Sequence, residues 1–399
     1  MFDAGPRSTE LLERLERFIV ERVDPAADAV DAERAARPGV QPPTVERLKA
    51  EARDLDLWNL NVRAADWGPG LTSLEYAPIA ERLGTSRLAQ EATNTDAPSS
   101  INGDALIAYG TPLQWDRWLR PQLTGEIRSA FAMTEPDVAS SDASNIACTA
   151  EPDGDGWRLD GRKWWISGVL HPNCAYLMVM ANSDAAASRH LRHSVFLVPR
   201  EAEGLRVVRN LPKFGYLDDD GHCELELDGV RVGPDGLLGQ IGGGFAIGQA
   251  RLGPARVQHC MRTLGIAEAA LELMCRRAQE RTTFGAPVSS RANVGDWIAE
   301  SRIAIDGARL MVLRTAHVMD TQGDKAAAPE MSAIKVAVLR AATDVVDRAI
   351  QVHGAAGVSE DTPLARWYAS LRALRIADGP DEVHLMAIAR RELRRQPLG

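Results

Sequence analysis

Beyond the glycine-rich stretch "GQIGGGFAIG" the sequence repeats apolar residues at helical spacing almost to its end, and this constrains the fold more than any other feature. From about Gly253, Val257, Met261, Leu264, Leu271 and Met274 fall on one face of a helix. Val294, Ile298, Ile305, Ala308, Val312 and Met319 do the same in the next. Stripes of this length must be buried against one another, because helices in water draw most of their stability from packing an apolar face. A third helix is expected over roughly 330–353 and a fourth after the Gly-Pro corner in "ADGPDEVH". Four such helices joined by moderate loops predict an antiparallel four-helix bundle over 241–399.

The preceding segment, 131–240, has a different period. "DGDGWRLDGRKWWIS" reads as a hairpin, "AYLMVMA" and "HSVFLVP" as buried strands, and "HCELELDGVRV" alternates polar with apolar residues, so a middle antiparallel β domain, of barrel type, is expected. Residues 1–130 return to helical patterns: "STELLERLERFIVERV" opens on a Ser-Thr cap, and "PTVERLKAEARDLDL" and "TPLQWDRWLRPQL" follow suit. The fold class is therefore α+β, with an N-terminal helical domain, a middle β domain and a C-terminal helical domain. Gly242, Gly243, Gly244 and Gly248 do not meet G-x-G-x-x-G spacing and no strand-turn-helix repeat surrounds them, so they read as a flexible connection between domains and not as a nucleotide loop.

Several function classes are excluded or disfavoured. A net charge of −9 over 399 residues argues against a nucleic-acid partner, which needs a basic face. No run of some 18 apolar residues and no signal-peptide pattern occurs, so no membrane span and a cytoplasmic location are expected. Five cysteines without C-x-x-C spacing read as buried thiols, and His190 and His193 in "RHLRH" read as a surface loop, so no metal site is expected.

Three stretches carry groups suited to chemistry. "FAMTEPDVASSD" (Phe131 to Asp142) sets hydroxyls and backbone N–H groups in a turn, which suits a planar oxygen-bearing ligand or a phosphate, or a plain connecting loop. "GRKWWISG" places Trp164 and Trp165 beside Ser167, which suits the face and edge of a flavin ring, or ordinary sheet packing. "ADGPDEVH" holds Asp378, Asp381 and Glu382 around Gly-Pro, and by itself reads as carboxylates starting a helix.

Taken together with "RTTFG" (Arg281 to Gly285) and "QVHGAAG" (Gln351 to Gly357), these stretches in this order resemble the acyl-CoA dehydrogenase family of flavoproteins across essentially the whole chain. "MTEPDVASSDASNI", "RLGPARVQHCMRTLG", "DWIAESRIAI" and "ADGPDEVHL" look closest to the subgroup whose animal members are fused behind an aminoglycoside-phosphotransferase-like kinase domain, a domain this sequence lacks. The resemblance implies FAD, held without a Rossmann sheet between the β domain and the bundle. Its ring would lie against Met133, Thr134, Trp165 and Ser167, with Thr134 and Ser167 hydrogen-bonding it and the serine close to N5, and Phe131, Ser140 and Ile166 are further implied cofactor contacts. Arg281 and Phe284 of one chain and Gln351 and Gly354 of its neighbour would complete the site, with Pro380 and Glu382 beside them, in a homodimer or homotetramer. A guanidinium such as Arg281 suits a diphosphate on physical grounds too.

The implied reaction is α,β-dehydrogenation of an acyl-CoA thioester to the trans-2-enoyl-CoA, in the setting of fatty acid β-oxidation. Asp378 would be the base, where the family's usual residue is a glutamate in a Glu-Gly-Thr pattern. Aspartate shortens the reach by about 1.5 Å. The family's second solution, a glutamate before an arginine on the first bundle helix, is absent, because Ala255 precedes Arg256. Arg256 would favour the ionised aspartate, while Ser141 and Gly379 would contact substrate. An electron-transferring flavoprotein is the implied electron acceptor, and long, branched or 4-hydroxyacyl-CoA derivatives are the implied substrates. Ala355, Ala292, Pro380 and Glu382 depart from the family pattern. The alternatives are a nitroalkane-oxidase-like flavoprotein of the same fold, which also uses an aspartate, and a catalytically silent binding or scaffold relative.

Overall fold

The computed structural model describes residues 2–218 and 220–396. The N-terminal part is helical: α1 (Gly5–Phe18), α2 (Ala27–Ala36), α3 (Pro43–Asp54), α4 (Ser73–Leu83), α5 (Arg87–Ala92), α6 (Ser99–Tyr109), α7 (Pro112–Gln114) and α8 (Arg120–Leu123). Eight strands follow: β1 (Arg128–Ala132), β2 (Thr149–Asp153), β3 (Gly156–Ser167), β4 (Cys174–Asn182), β5 (His193–Pro199), β6 (Leu205–Asn210), β7 (His222–Val232) and β8 (Leu237–Leu238). Five helices complete the chain: α9 (Gly244–Glu280), α10 (Ala292–Gln322), α11 (Ala328–His353), α12 (Leu364–Leu374) and α13 (Asp381–Arg395). The expected order of helical, sheet and helical regions is therefore present. None of the described helices is long and apolar enough to cross a membrane.

The chain divides into two compact units, one of residues 17–70 and 88–252, the other of residues 1–16, 71–87 and 253–399. In the first unit the strands pair in the order β6-β7-β3-β2-β4-β5-β8, with β1 parallel to β4. This is an open path, since among the described residues no ladder joins β6 to β8, and a closed barrel is not what the pairing forms. The ends explain it: β8 is two residues long, and β6 carries Arg206 and Arg209, charges of the kind that blunt a sheet edge. Strand β4, apolar from Cys174 to Ala181, lies in the middle. Its alternation sends Leu177, Val179 and Ala181 into one core with Leu159, Ile166, Phe196 and Leu225. Tyr176 and Met178 enter a second core with Leu106 of α6, Trp118 and Leu119. Truncating any of these large side chains is worth about 2–5 kcal/mol.

In the second unit α10 packs on α4 and on α11, and α11 packs on α12 and α13. Helices α4 and α9 approach closely because Gly84 and Gly265 face each other's backbone: a Cβ on either would lie 1.9 Å from the carbonyl oxygen of Arg262 or Glu81. Arg309 then clasps Glu81 at 2.7 Å and also pairs with Glu268, tying α4, α9 and α10 together. Five C-terminal helices stand where the periodicity indicated four. The extra one, α12, has only Leu364, Ala369 and Leu371 buried, too short a stripe to register in a periodicity.

Three local expectations are corrected. The glycine stretch is not a loose connection: Gly242 donates its N–H to Ser194 at 2.9 Å, and a Cβ on Gly242 or Gly244 would lie 2.8 or 2.7 Å from the carbonyl oxygen of Leu191 or His193, so close backbone approach explains these two, whereas Gly248 in α9 has open space beside it. Helix α9 starts there, at Gly244, nine residues before its expected start near Gly253. His193 is no loop residue; it begins β5, fully buried, and burial lowers its pKa. Ser8 and Thr9 do not cap α1, which starts at Gly5; Ser8 donates instead to the Glu75 carbonyl at 2.6 Å.

Candidate active site

Two clusters hold the candidate residues, each inside one compact unit. The first is the corner between α12 and α13. Leaving α12, the chain turns through Asp378 (φ +55°) and Gly379 (φ +99°) to Pro380, the residue before the first turn of α13. A left-handed aspartate costs of order 1–2 kcal/mol and persists only where its surroundings hold it. Three side chains do so here. Arg256 Nε donates to the Asp378 carbonyl oxygen at 2.8 Å, His384 Nε2 lies 3.4 Å from the same oxygen, and the fully buried Lys335 Nζ donates to the Leu374 carbonyl at 2.5 Å. Gly379 is required twice, by its φ and because a Cβ would lie 2.9 Å from His384 Nε2.

With its backbone pinned, Asp378 directs its carboxylate to His259, whose Nε2 is 3.3 Å from Oδ2. The carboxylate stays accessible, its side chain being 21% exposed. Arg256 therefore grips the backbone of Asp378. Burial holds Arg256 and Lys335 below their ordinary pKa values, and the charge of Asp378 opposes that in both. Asp381 is buried at 4% exposure and lies between Arg375 at 2.8 Å and Arg340 at 3.0 Å. Burial pushes its carboxyl up, but the hydrogen bonds and charges of the two arginines outweigh that and hold it low. Asp381 thus anchors the corner through ion pairs, with no side-chain cap on α13, and Glu382 is exposed.

His384 sets a pH limit on this corner. Burial, then the charges of Arg256 and Lys335, lower its pKa to about 4. An unfolded chain binds this proton near the ordinary value of about 6.5, so between there and about 4 the unfolded state binds more protons and stability falls as the pH falls. Denaturant midpoints measured at pH values across that window should decline more steeply for the native chain than for His384→Gln, by up to about 3 kcal/mol. Parallel pH profiles would show that His384 is not the group refusing the proton.

The second cluster lies where β1 runs into the "TEP" turn beside β3. Lys163 and Glu135, both buried, form an ion pair at 2.8 Å. Lys163 also donates to the carbonyls of Met133 (3.0 Å) and Met180 (2.7 Å), and Glu135 accepts the N–H groups of Ala147 (2.7 Å) and Cys148 (2.9 Å). The Trp164 N–H donates to the Thr134 carbonyl at 2.9 Å. The Thr134 hydroxyl forms no hydrogen bond among the described residues. Strand β3 then bulges against β7 between Lys163 and Ile166, and Trp165 takes φ +55° in the bulge. That conformation, unusual for an aromatic residue, leaves the indole 40% exposed instead of in the sheet core. Ser167, the next residue on that face, bonds through Oγ to His222 Nδ1 at 2.8 Å.

The remaining candidates are spread more widely. Ile166 is buried in the sheet core and can offer a ligand only its backbone. Phe131 has the guanidinium of the buried Arg251 4.3 Å above its ring. Ser140 is structural in part: its hydroxyl accepts the Glu135 N–H at 2.8 Å, while Ser141 is exposed. Arg281 follows α9 at the surface, and Phe284 in the adjoining hairpin is 99% exposed. Gln351 is exposed near the end of α11, which Gly354 terminates at φ +63°. His259, Lys335, His384 and His222 escaped the sequence reading. Only His259 left a usable signal, three residues after Arg256 and therefore on the same helix face. Among the described residues no cluster of His, Cys, Asp or Glu could hold a metal, and four of the five cysteines are buried.

Comparison with known proteins is consistent along the whole chain. Residues 6–126, 130–230 and 242–393 match the models for the N-terminal, middle and C-terminal domains of acyl-CoA dehydrogenase. The chain is 50% identical over 399 residues to the probable acyl-CoA dehydrogenase FadE2 of Mycobacterium tuberculosis, covering 99% of this chain and 97% of that one. It is 45% identical over 402 residues to acyl-CoA dehydrogenase family member 11 of Gallus gallus, covering 98% of this chain but 51% of the relative, so it spans about half of that protein. A solved chain from Mycobacterium abscessus superimposes with a TM-score of 0.94 at 45% identity, over 98% of this chain and 99% of that one.

Proposed function

The chain belongs to the acyl-CoA dehydrogenase family of FAD-dependent oxidoreductases, and from that premise we propose that Asp378 removes the α-proton of an acyl-CoA thioester to give the trans-2-enoyl-CoA. One observation carries the choice of base. Asp378 is a partly exposed carboxylate in a left-handed backbone that Arg256, Lys335 and His384 lock, and neither Asp381 nor Glu382 shares this: the first is consumed by two arginines, the second is exposed on a helix.

The residues of the second cluster fit a flavin. A hydroxyl at Thr134 with no hydrogen-bond partner among the described residues, an indole turned out of its sheet at Trp165 and a hydroxyl at Ser167 supply a polar edge and an aromatic face for a planar ring. FAD, when bound, supplies the hydride acceptor for the β-hydrogen. Everything else falls to the chain. Asp378 holds the α-proton at its carboxylate after abstraction, with His259 beside Oδ2 able to share it. The backbone N–H at the base polarises the thioester oxygen as charge develops there. Arg256 and Lys335 keep the corner electropositive, which favours the ionised form of Asp378 before the proton arrives. The shorter reach of aspartate is met by how firmly these side chains hold its backbone.

Arg281 and the fully exposed Phe284 suit the diphosphate arm and a contact with a neighbouring subunit, which supports a homo-oligomer with Gln351 and Gly354 contributed from the other copy. An electron-transferring flavoprotein is the proposed acceptor. Three family models agree on acyl-CoA dehydrogenase, so the nitroalkane reading, which rests on the aspartate at 378 alone, is not favoured. Anaerobic titration of the purified protein with straight, branched and 4-oxygenated acyl-CoAs is the test. The yellow absorbance should bleach with at least one thioester class. Bleaching by dithionite but by none of the thioesters would overturn the assignment.

A further inference from the structure

Ser167 is one end of a chain of hydrogen bonds. It pairs across the β3/β7 ladder with His222, and its Oγ lies 2.8 Å from His222 Nδ1. On the other side of the ring, His222 Nε2 lies 2.7 Å from Asp218 Oδ2, which also accepts Lys213 Nζ at 2.6 Å. The Asn210 side-chain oxygen accepts the His222 N–H at 2.9 Å, and the Trp165 ring lies 6.0 Å from the imidazole, so the ring is held in place. A carboxylate only accepts, so it fixes the proton of a neutral imidazole on Nε2 and leaves Nδ1 as an acceptor. Ser167 must then donate its only hydroxyl proton to Nδ1.

We propose that His222, with its tautomer set by Asp218, is a positioning residue that makes Ser167 an acceptor and not a donor toward the flavin edge. The inference rests on Ser167 meeting that edge, as proposed above. N5 of the oxidised ring is a bare acceptor, and a hydroxyl committed to His222 gives it nothing. A flavin reduced by two electrons would carry an N–H at N5, and Ser167 would have a lone pair ready to accept it. The relay therefore favours the two-electron reduced state and draws the reaction forward.

The reduction potential of the bound flavin is the readout, measured by spectroelectrochemical titration of the holoprotein at mildly alkaline pH. His222→Phe frees the serine proton to bond oxidised N5, so the oxidised-to-reduced ratio should rise roughly tenfold, a fall of about 30 mV for a two-electron couple. Asp218→Ala removes the acceptor that holds the proton on Nε2, so the Nδ1–H form becomes populated and the potential should fall in the same direction. In a Ser167→Ala background His222→Phe should change nothing further. Yellow single variants whose equilibrium stays within twofold of the native protein would overturn the relay while leaving the dehydrogenase reading intact. A native protein that takes up no FAD would overturn both.

Discussion

An Asp378→Asn protein is expected to bind FAD, remain yellow and lose flavin bleaching by acyl-CoA by on the order of 100-fold or more, the usual worth of a positioned general base. Asparagine is the informative replacement because it keeps the volume and tolerates the left-handed backbone that Asp378 adopts at φ +55°. It can still hydrogen-bond His259 and it leaves the grip of Arg256 on the carbonyl untouched, since that contact is with the main chain. What disappears is the ability to take a proton. Stopped-flow bleaching under anaerobic conditions measures this directly, with FAD content as the control for folding. Bleaching at the native rate would place the base elsewhere. Asp378→Glu adds a second reading of the same corner: the longer side chain lands about 1.5 Å further out. Because the backbone is pinned, it should recover only part of the lost rate, whereas full recovery would show that the corner tolerates either length.

How much of this was legible in the sequence follows from the range of each interaction. Asp378 could be singled out only through the family resemblance, because the local pattern around Gly379 and Pro380 by itself reads as carboxylates starting a helix. The bulge at Trp165 could not, since a register shift is a relation between β3 and β7, whose paired positions 166 and 223 lie far apart in sequence. The same holds for Lys335 and His384, which reach the corner from α11 and α13 and have no local pattern to announce them. The helices were read well wherever a stripe ran for four or more turns, as in α9 and α10, and missed in α12, where three buried residues carry the packing. The glycine stretch misled for a physical reason. Glycines that permit close backbone approach and glycines that permit motion look alike in a sequence, and only the carbonyl of His193 beside Gly244 separates them.

The largest effect on stability should come from a residue that does no chemistry. Lys163 is fully buried in β3 and its ammonium meets three acceptors, the Glu135 carboxylate and the carbonyls of Met133 and Met180. In Lys163→Met the methionine fills nearly the same space, but Glu135 is left as a buried carboxylate with only two backbone N–H partners and two carbonyls lose their donor. Removing one member of a buried pair costs about 3–5 kcal/mol. Denaturant unfolding at matched FAD concentration should show a loss of that size, since bound cofactor adds to apparent stability by mass action. FAD retention should fall with it, because Thr134 sits between Met133 and Glu135, the two residues that Lys163 holds. The double replacement Lys163→Met with Glu135→Leu removes the stranded charge and should recover part of the loss in stability without recovering FAD, as it restores no geometry to the turn. A single variant within about 1 kcal/mol of the native chain would mean that the sheet, and not this ion pair, fixes the turn that presents Thr134.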